Sequence, residues 1–184
     1  MFYCKIDDNT ELRLLEERHA ETAFVLIDQN REHLRAWLPW AKPGYSLEDC
    51  RGYIKQTLQR LAENNGFDAA IFYRGQMAGQ IGYNSIDWPN RATEIGYWVG
   101  ASFQGKGLIT AACRALLDHA FYEFKLNRVE IRCAVENSRS RAVPERLGFR
   151  QDGVLRQVEW LHDRFVDLVV YSMLAGEWPH LRQS

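Results

Sequence analysis

Cysteine, proline and long apolar runs are scarce in this chain, and each shortage removes a class of protein. Four cysteines, Cys4, Cys50, Cys113 and Cys133, are scattered over 184 residues without a Cys-x-x-Cys pair. That spacing argues against a structural zinc site and against a disulfide framework. Cys113 falls on the apolar face of an expected helix and Cys133 in an expected strand, where buried, reduced thiols are the natural reading. No apolar run approaches the ~20 residues of a membrane-spanning helix, and the start of the chain carries no signal-peptide pattern. A cytoplasmic protein with no membrane partner is therefore expected. An excess of either charge is missing too. Lys+Arg number 23 and Asp+Glu 24, for a net charge of −1, so no overall basic field draws the chain to nucleic acid and no direct nucleic-acid partner is expected. Internal repeats, low-complexity segments and linkers are absent, and the length suits one domain, 1–184.

What the chain does have is a clear succession of periods. Glu11–Leu15 is a short strand candidate. Glu17–Trp37 reads as largely helical, with Phe24, Ile27, Leu34 and Trp37 among its apolar positions, until Pro39 and Lys42-Pro43-Gly44 break it. Ser46-Leu47-Glu48-Asp49 resembles a capping box and opens a helix carrying Leu47, Ile54, Leu58 and Leu61, which Asn64-Asn65-Gly66 ends. Three strands follow, Phe67–Tyr73, Met77–Ile86 and Ala92–Val99, joined by the turns Arg74-Gly75-Gln76 and Asp87-Trp88-Pro89-Asn90. Ile109, Ala112, Cys113, Leu116, Leu117, Ala120, Phe121 and Phe124 then make one apolar helix face. Arg128–Val135 is a strand, Ser138–Leu147 a short helix ending at Gly148, and Phe149–Val158 with Phe165–Met173 a final strand pair. The order of elements predicts an α+β sheet with helices on its faces.

The most informative stretch is Thr93–Thr110, where an apolar strand enters a turn of small residues that opens the long helix. Free N–H groups and the positive end of the helix dipole meet there, a ready site for a phosphate or pyrophosphate. Two nucleotide motifs fit it poorly. Gly100-x-x-x-x-Gly105-Lys106 lacks the Ser or Thr that a Walker A sequence needs for Mg²⁺, since Gly107 stands there, and Gly105-x-Gly107 is followed by Thr110 instead of a closing glycine. No metal is expected.

Gln104-Gly105-Lys106-Gly107 resembles motif A of the GCN5-related N-acetyltransferase (GNAT) family, and Asn137-Ser138-Arg139-Ser140 through Glu145-Arg146-Leu147-Gly148-Phe149 looks like its motif B. Glu94–Trp98, Phe103-Gln104-Gly105 and Trp37-Leu38-Pro39-Trp40 are similar to the RimJ/RimL branch, which acetylates N-termini of ribosomal proteins. The resemblance implies a GNAT fold, with a mostly antiparallel twisted sheet of about seven strands, splayed by a bulge near Tyr97–Val99. It implies acetyl-CoA as co-substrate and direct attack of a primary amine on the thioester. Trp98, Val99, Gln104, Gly105, Lys106, Gly107, Leu108, Ile109, Thr110 and Asn137 would hold the cofactor. For Lys106 the alternative is a solvated lysine, and for Asn137 a helix N-cap. Ser140 would assist the leaving sulfur, and Glu94 would end a water chain to the amine unless it serves as an arginine's partner. Two positions depart from the pattern: Ile109 replaces the last Gly/Ala of motif A, and Pro144 replaces the tyrosine that often serves as acid. Pro144 has no N–H for the carbonyl of Ser140, so this helix is expected to kink or start late. Trp37, Trp40 and Tyr45 would wall an acceptor groove if they are not core. The tip Trp160–Arg164, with His162 and Asp163, is read as solvated. The acceptor is expected to be a protein N-terminus, with a small amine or a catalytically silent CoA-binding domain as alternatives, and a homodimer as a further partner.

Overall fold

The central strands Phe67–Tyr73, Gln76–Asp87 and Ala92–Val99 carry most of their residues buried or half-buried, whereas Arg150–Leu161 is largely exposed. The computed structural model describes residues 3–178. In chain order it contains β1 (Tyr3–Lys5), β2 (Thr10–Leu14), a 3-10 turn (Glu17–His19), α1 (Ala20–Gln29), α2 (Arg31–Arg35), α3 (Leu47–Ala62), β3 (Phe67–Tyr73), β4 (Gln76–Asp87), β5 (Ala92–Val99), α4 (Leu108–Asp118), β6 (Arg128–Ala134), α5 (Ser138–Arg146), β7 (Arg150–Leu161) and β8 (Arg164–Leu174). They build one eight-stranded sheet in the order β1-β2-β3-β4-β5-β6-β8-β7. Every neighbour pair is antiparallel except β5 and β6. The strand beyond the seven expected is β1, three residues long and too short to show a period.

Helices cover both faces. On one, α4 and α5 pack over Ile71, Ile81, Ile95 and Ile131; on the other, α1 and α3 pack over Ala70, Phe72 and Met77. β3 is therefore buried on both sides, which explains its apolar run Ala69–Phe72. The capping box of α3 forms: Ser46 Oγ accepts the N–H of Asp49 (3.2 Å), and Asp49 Oδ2 accepts the N–H of Ser46 (2.8 Å).

Two helices differ from expectation. The helix foreseen over Glu17–Trp37 breaks at Asn30, whose backbone leaves the helical region (φ −121°, ψ 19°). Its amide donates to Leu26 O (2.8 Å), and its Oδ1 accepts the N–H of Ala101 (2.8 Å). A side chain that competes for backbone groups ends α1 and pins the loop after β5 to it. In the other, α5 does not begin late: it starts at Ser138 and runs to Arg146 with Pro144 inside.

The decisive feature lies between β5 and β6. They pair only through Ala92↔Arg128, Thr93↔Val129 and Glu94↔Glu130. Among the described residues, β5 from Ile95 to Val99 keeps β4 on one edge and has no strand on the other, while Ile131–Ala134 of β6 keeps only β8. The bulge expected near Tyr97–Val99 is not there, since β4 and β5 hold one register from Tyr83↔Ile95 to Gly79↔Val99. The irregularity sits in β4 between Tyr83 and Ile86, where the strand opposite Glu94 takes up the misfit.

At the last parallel pair two carboxylates lie side by side, and Arg132 holds both. Its Nε is 3.2 Å from Glu94 Oε2 and its Nη2 3.0 Å from Glu130 Oε2. Arg128 adds a second bridge, from Glu130 (2.8 Å) to Asp152 (2.7 Å). Burial raises the pKa of the Glu130 carboxyl, but hydrogen bonds from Arg128 and Arg132 outweigh it and hold it below the usual range. The stabilisation is thus present above the unfolded value of about 4.3 and is lost as pH falls through the lower folded value. Arg132→Gln should lower the melting temperature at pH 7 by about 2–4 °C, as for a partly exposed network worth about 1 kcal/mol. Melting curves from pH 7 to pH 3 should show that deficit shrinking in acid; a constant deficit would mean that Arg132 stabilises by packing alone.

Candidate active site

Where the strands part, a cleft of about 1630 Å³ opens through the sheet. The loop before α4 forms one wall. Gly105 (φ +72°) and Gly107 (φ +74°) are both left-handed, and a Cβ built on either would meet no atom within 4 Å. They are glycines for their backbone angle, and the space over them is open. The N–H groups of residues 105–110 find no acceptor among the described residues, and the first to return to the chain is Ala111, which donates to Gly107 O (3.0 Å). The cradle is thus one residue shorter than expected, because the N–H of Gln104 is taken by Ala101 O (3.2 Å). Leu108 and Ile109 turn their side chains into the core, so Ile109, despite its bulk, leaves its own amide clear. The Lys106 side chain turns toward Tyr73, its Nζ 5.9 Å from the ring centre, and lies outside the residues that line the cleft. Arg114, Arg139 and Arg146 line the cleft instead, none in an ion pair among the described residues. Arg146 Nη1 donates to Thr110 Oγ1 (3.1 Å).

The Gln104 side chain spans the mouth. Arg139 Nη1 donates to its Oε1 (2.7 Å), and its Nε2 lies 3.1 Å from His33 Nε2, which is 3.2 Å from Val99 O. Across the cleft, Asn137 caps α5 by accepting the N–H of Ser140 (3.1 Å). Ser140 Oγ sits 3.2 Å from Cys133 Sγ and 3.4 Å from the Tyr97 hydroxyl, and that hydroxyl donates to Ser140 O (3.0 Å). Tyr97 was not singled out by sequence reasoning: in a strand with apolar neighbours it reads as core.

On the α1–α3 face, Trp37 and Trp40 line the cleft, and Trp40 meets Trp98 edge-on at 6.1 Å. Tyr45 does not belong with them. It is buried beside Trp40 and Cys50, and burial drives its phenol far above the usual range. The β7–β8 tip is not free in solvent either, since His162 Nε2 lies 3.0 Å from Arg35 O of α2.

Of the carboxylates that β3, β5 and β7 bring to the cleft, two are held by arginines. Asp68, 5% exposed, accepts from Tyr53 (2.6 Å), Arg60 (3.1 Å) and Gln80 (3.3 Å). Glu94 accepts from Asn84 (2.6 Å) besides its bond to Arg132, so the reading of Glu94 as an arginine's partner describes its geometry. Glu159 has no hydrogen bond or ion pair among the described residues, and burial, with the neighbouring charge of Glu94, pushes its carboxyl above the usual range. Sequence reasoning missed it by ending the strand at Val158. Residues 156–158 of β7 face only Asp167 of β8, so one-to-one pairing is lost just before Glu159 and resumes there. Among the described residues no group of three or more His, Cys, Asp or Glu could hold a metal ion, and no helix is long and apolar enough to cross a membrane.

Residues 9–150 match the family described as the acetyltransferase (GNAT) domain. YdaF of Bacillus subtilis (strain 168) is 44% identical over 97% of this chain and 98% of its own. The ribosomal-protein-serine acetyltransferase of Escherichia coli (strain K12) is 32% identical over 92% and 95%. Among solved structures, RimL, a ribosomal L7/L12 alpha-N-protein acetyltransferase in complex with coenzyme A, superposes with a TM-score of 0.90 at 29% identity, over 94% of this chain and 98% of that one. With bare amides opening α4 and strands parted beside them, the chain belongs to the GNAT acetyltransferase family.

Proposed function

We propose that the protein transfers acetyl from acetyl-CoA to the α-amino group of a ribosomal protein. The observation that carries the cofactor half is the pair of unpaired strand edges beside the free amides of residues 105–110. Pantetheine, an extended chain of amides, can add to such an edge as a strand does, and a pyrophosphate suits a helix N-terminus. The three unpaired arginines of the cleft suit the cofactor's phosphates, which a relative solved with coenzyme A also binds.

Acetyl-CoA would supply an activated acyl group; this chain's residues would orient it and receive the amine. An α-amine has a pKa of about 7.7–8.0 against about 10.4 for lysine, so near neutrality it needs little help to shed its proton. Glu159, unpaired and with a raised pKa, is the base we assign, directly or through water. Glu94 takes the lesser part of raising the affinity of Glu159 for a proton. Ser140 offers the departing sulfur a hydrogen bond, and Trp37, Trp40 and Trp98 wall the acceptor's path. A polyamine carries several ammonium groups, whereas two of the three strand carboxylates here are already held by arginines. The cleft's unpaired carboxylates among the described residues, Glu159 and the exposed Glu136, are few for a polyamine, which favours an N-terminus. Relatives named for ribosomal-protein acetylation point the same way.

Incubated with acetyl-CoA, ribosomal proteins with free N-termini should release thiol and gain one acetyl group at the α-amine, located by mass spectrometry. Thiol release with spermidine alone would overturn the acceptor assignment. Glu159→Gln should lower kcat by about 10²-fold and remove the acid limb of the pH–rate profile. That limb should lie above the ordinary value of about 4.3, with rate lost as pH falls and the carboxylate gains its proton; an unmoved limb excludes Glu159 as base. Gly107→Glu should abolish coenzyme A binding in calorimetry. Thr110→Asp, which adds charge without disturbing a left-handed residue and suits a first helical turn, should weaken it at least about tenfold. Retained affinity in both places the anion elsewhere.

A further inference from the structure

We infer that Tyr97 is a positioning residue: by bonding the main chain of Ser140 it ties the first turn of α5 to β5 and aims the Ser140 hydroxyl, and Pro144 is what makes that bond available. In an α-helix each carbonyl accepts from the N–H four residues on. Pro144 has no N–H, so the carbonyl of Ser140 lacks its helical donor. The Tyr97 hydroxyl takes the place at 3.0 Å.

It does so from the far side of the cleft. Tyr97 stands on β5 beyond Glu94, where β5 and β6 no longer pair. Among the described residues, the hydrogen bonds from β5 to α5 are those of Tyr97, to Ser140 O and from Ser140 Oγ. The tie therefore bridges the cleft after the ladder has ended. Burial drives the Tyr97 phenol well above its usual range, so it remains a donor at neutral pH. Burial also pushes the Cys133 thiol up, so the group 3.2 Å from Ser140 Oγ stays protonated. Between the thiol at 3.2 Å and the phenol oxygen at 3.4 Å, a long and weak acceptor, the Ser140 hydroxyl is held at the cleft, where its hydrogen can turn from Tyr97 to a group in the cleft.

The inference rests on the reading that Ser140 faces the thioester sulfur, and two measurements separate the failures. The first is thermal and needs no acceptor. Tyr97→Phe should lower the melting temperature by about 2–4 °C by orphaning a carbonyl. Pro144→Ala should raise it more in the Tyr97→Phe protein than in the wild type, because only there does the new N–H meet a carbonyl without a donor. Equal increments in the two backgrounds overturn the tie. The second is kinetic, with acetyl-CoA and a ribosomal peptide whose free α-amine the wild type acetylates as the substrate pair. Tyr97→Phe should reduce kcat about tenfold, the order of a single positioning contact, while the Kd for acetyl-CoA stays within about twofold. In the Ser140→Ala background the same change should cost nothing further. Full turnover in Tyr97→Phe, or a loss that persists on top of Ser140→Ala, overturns the positioning role. Normal turnover in Ser140→Ala alone removes Ser140 from the chemistry and this role with it, leaving the thermal tie and the acceptor reading standing.

Discussion

The structure turns on a ladder that stops. β5 and β6 are the sheet's single parallel pair, and they hold together for three residues. Past that point each strand presents peptide groups to the other across open space, and peptide groups left without partners seek them. A sheet that closed here would leave no room for a ligand, and one that never paired would have no fixed angle. The charges at the fork keep it in between. Glu94 and Glu130 would repel across the last pair, and Arg132 turns that repulsion into a clamp from within β6. Opening is set further along by Tyr97, a longer reach made from the opposite strand.

From this constraint follows a division between main chain and side chains. On the α4 side the chain offers mostly backbone: bare amides on a loop whose two glycines adopt angles that other residues resist. Such a site recognises phosphate and amide groups by geometry and depends little on side-chain identity, which is why Ile109 and Lys106 can point elsewhere without closing it. On the α1–α3 side the chain offers side chains, and there charge balance decides. Arg60 and Arg132 neutralise Asp68 and Glu94, and Glu159 is left with neither cation nor donor among the described residues. A carboxylate kept short of partners holds its proton more tightly, which suits the base proposed above.

The sequence disclosed what depends on local rules. β3 and β5 have the expected limits because their apolar runs end at turns, and the capping box of α3 forms because both partners lie within one turn. The glycine loop was visible for the same reason. What stayed hidden depends on contacts distant along the chain. Asn30 breaks a helical period because its side chain has a partner seventy-one residues away, in Ala101. Tyr45 looked like a wall residue beside Trp40, yet the chain folds it inward. Glu159 lies past a bulge that only its pairing with β8 reveals. Ser140 and Asn137 were legible as a motif, whereas their neighbours Tyr97 and Cys133 belong to other strands.

Pro144 shows how a local violation acquires a meaning at a distance. Within α5 a proline is a defect, a carbonyl deprived of its donor. The helix nevertheless begins on time, because the missing bond is supplied by a group outside it. A helical N–H would have satisfied that carbonyl from within α5 and tied it to nothing. A hydroxyl from β5 satisfies it and at the same time joins two elements that the sheet itself no longer holds together. Satisfaction of a helix carbonyl and control of the cleft are then one interaction, so a substitution that repairs the helix need not repair the site.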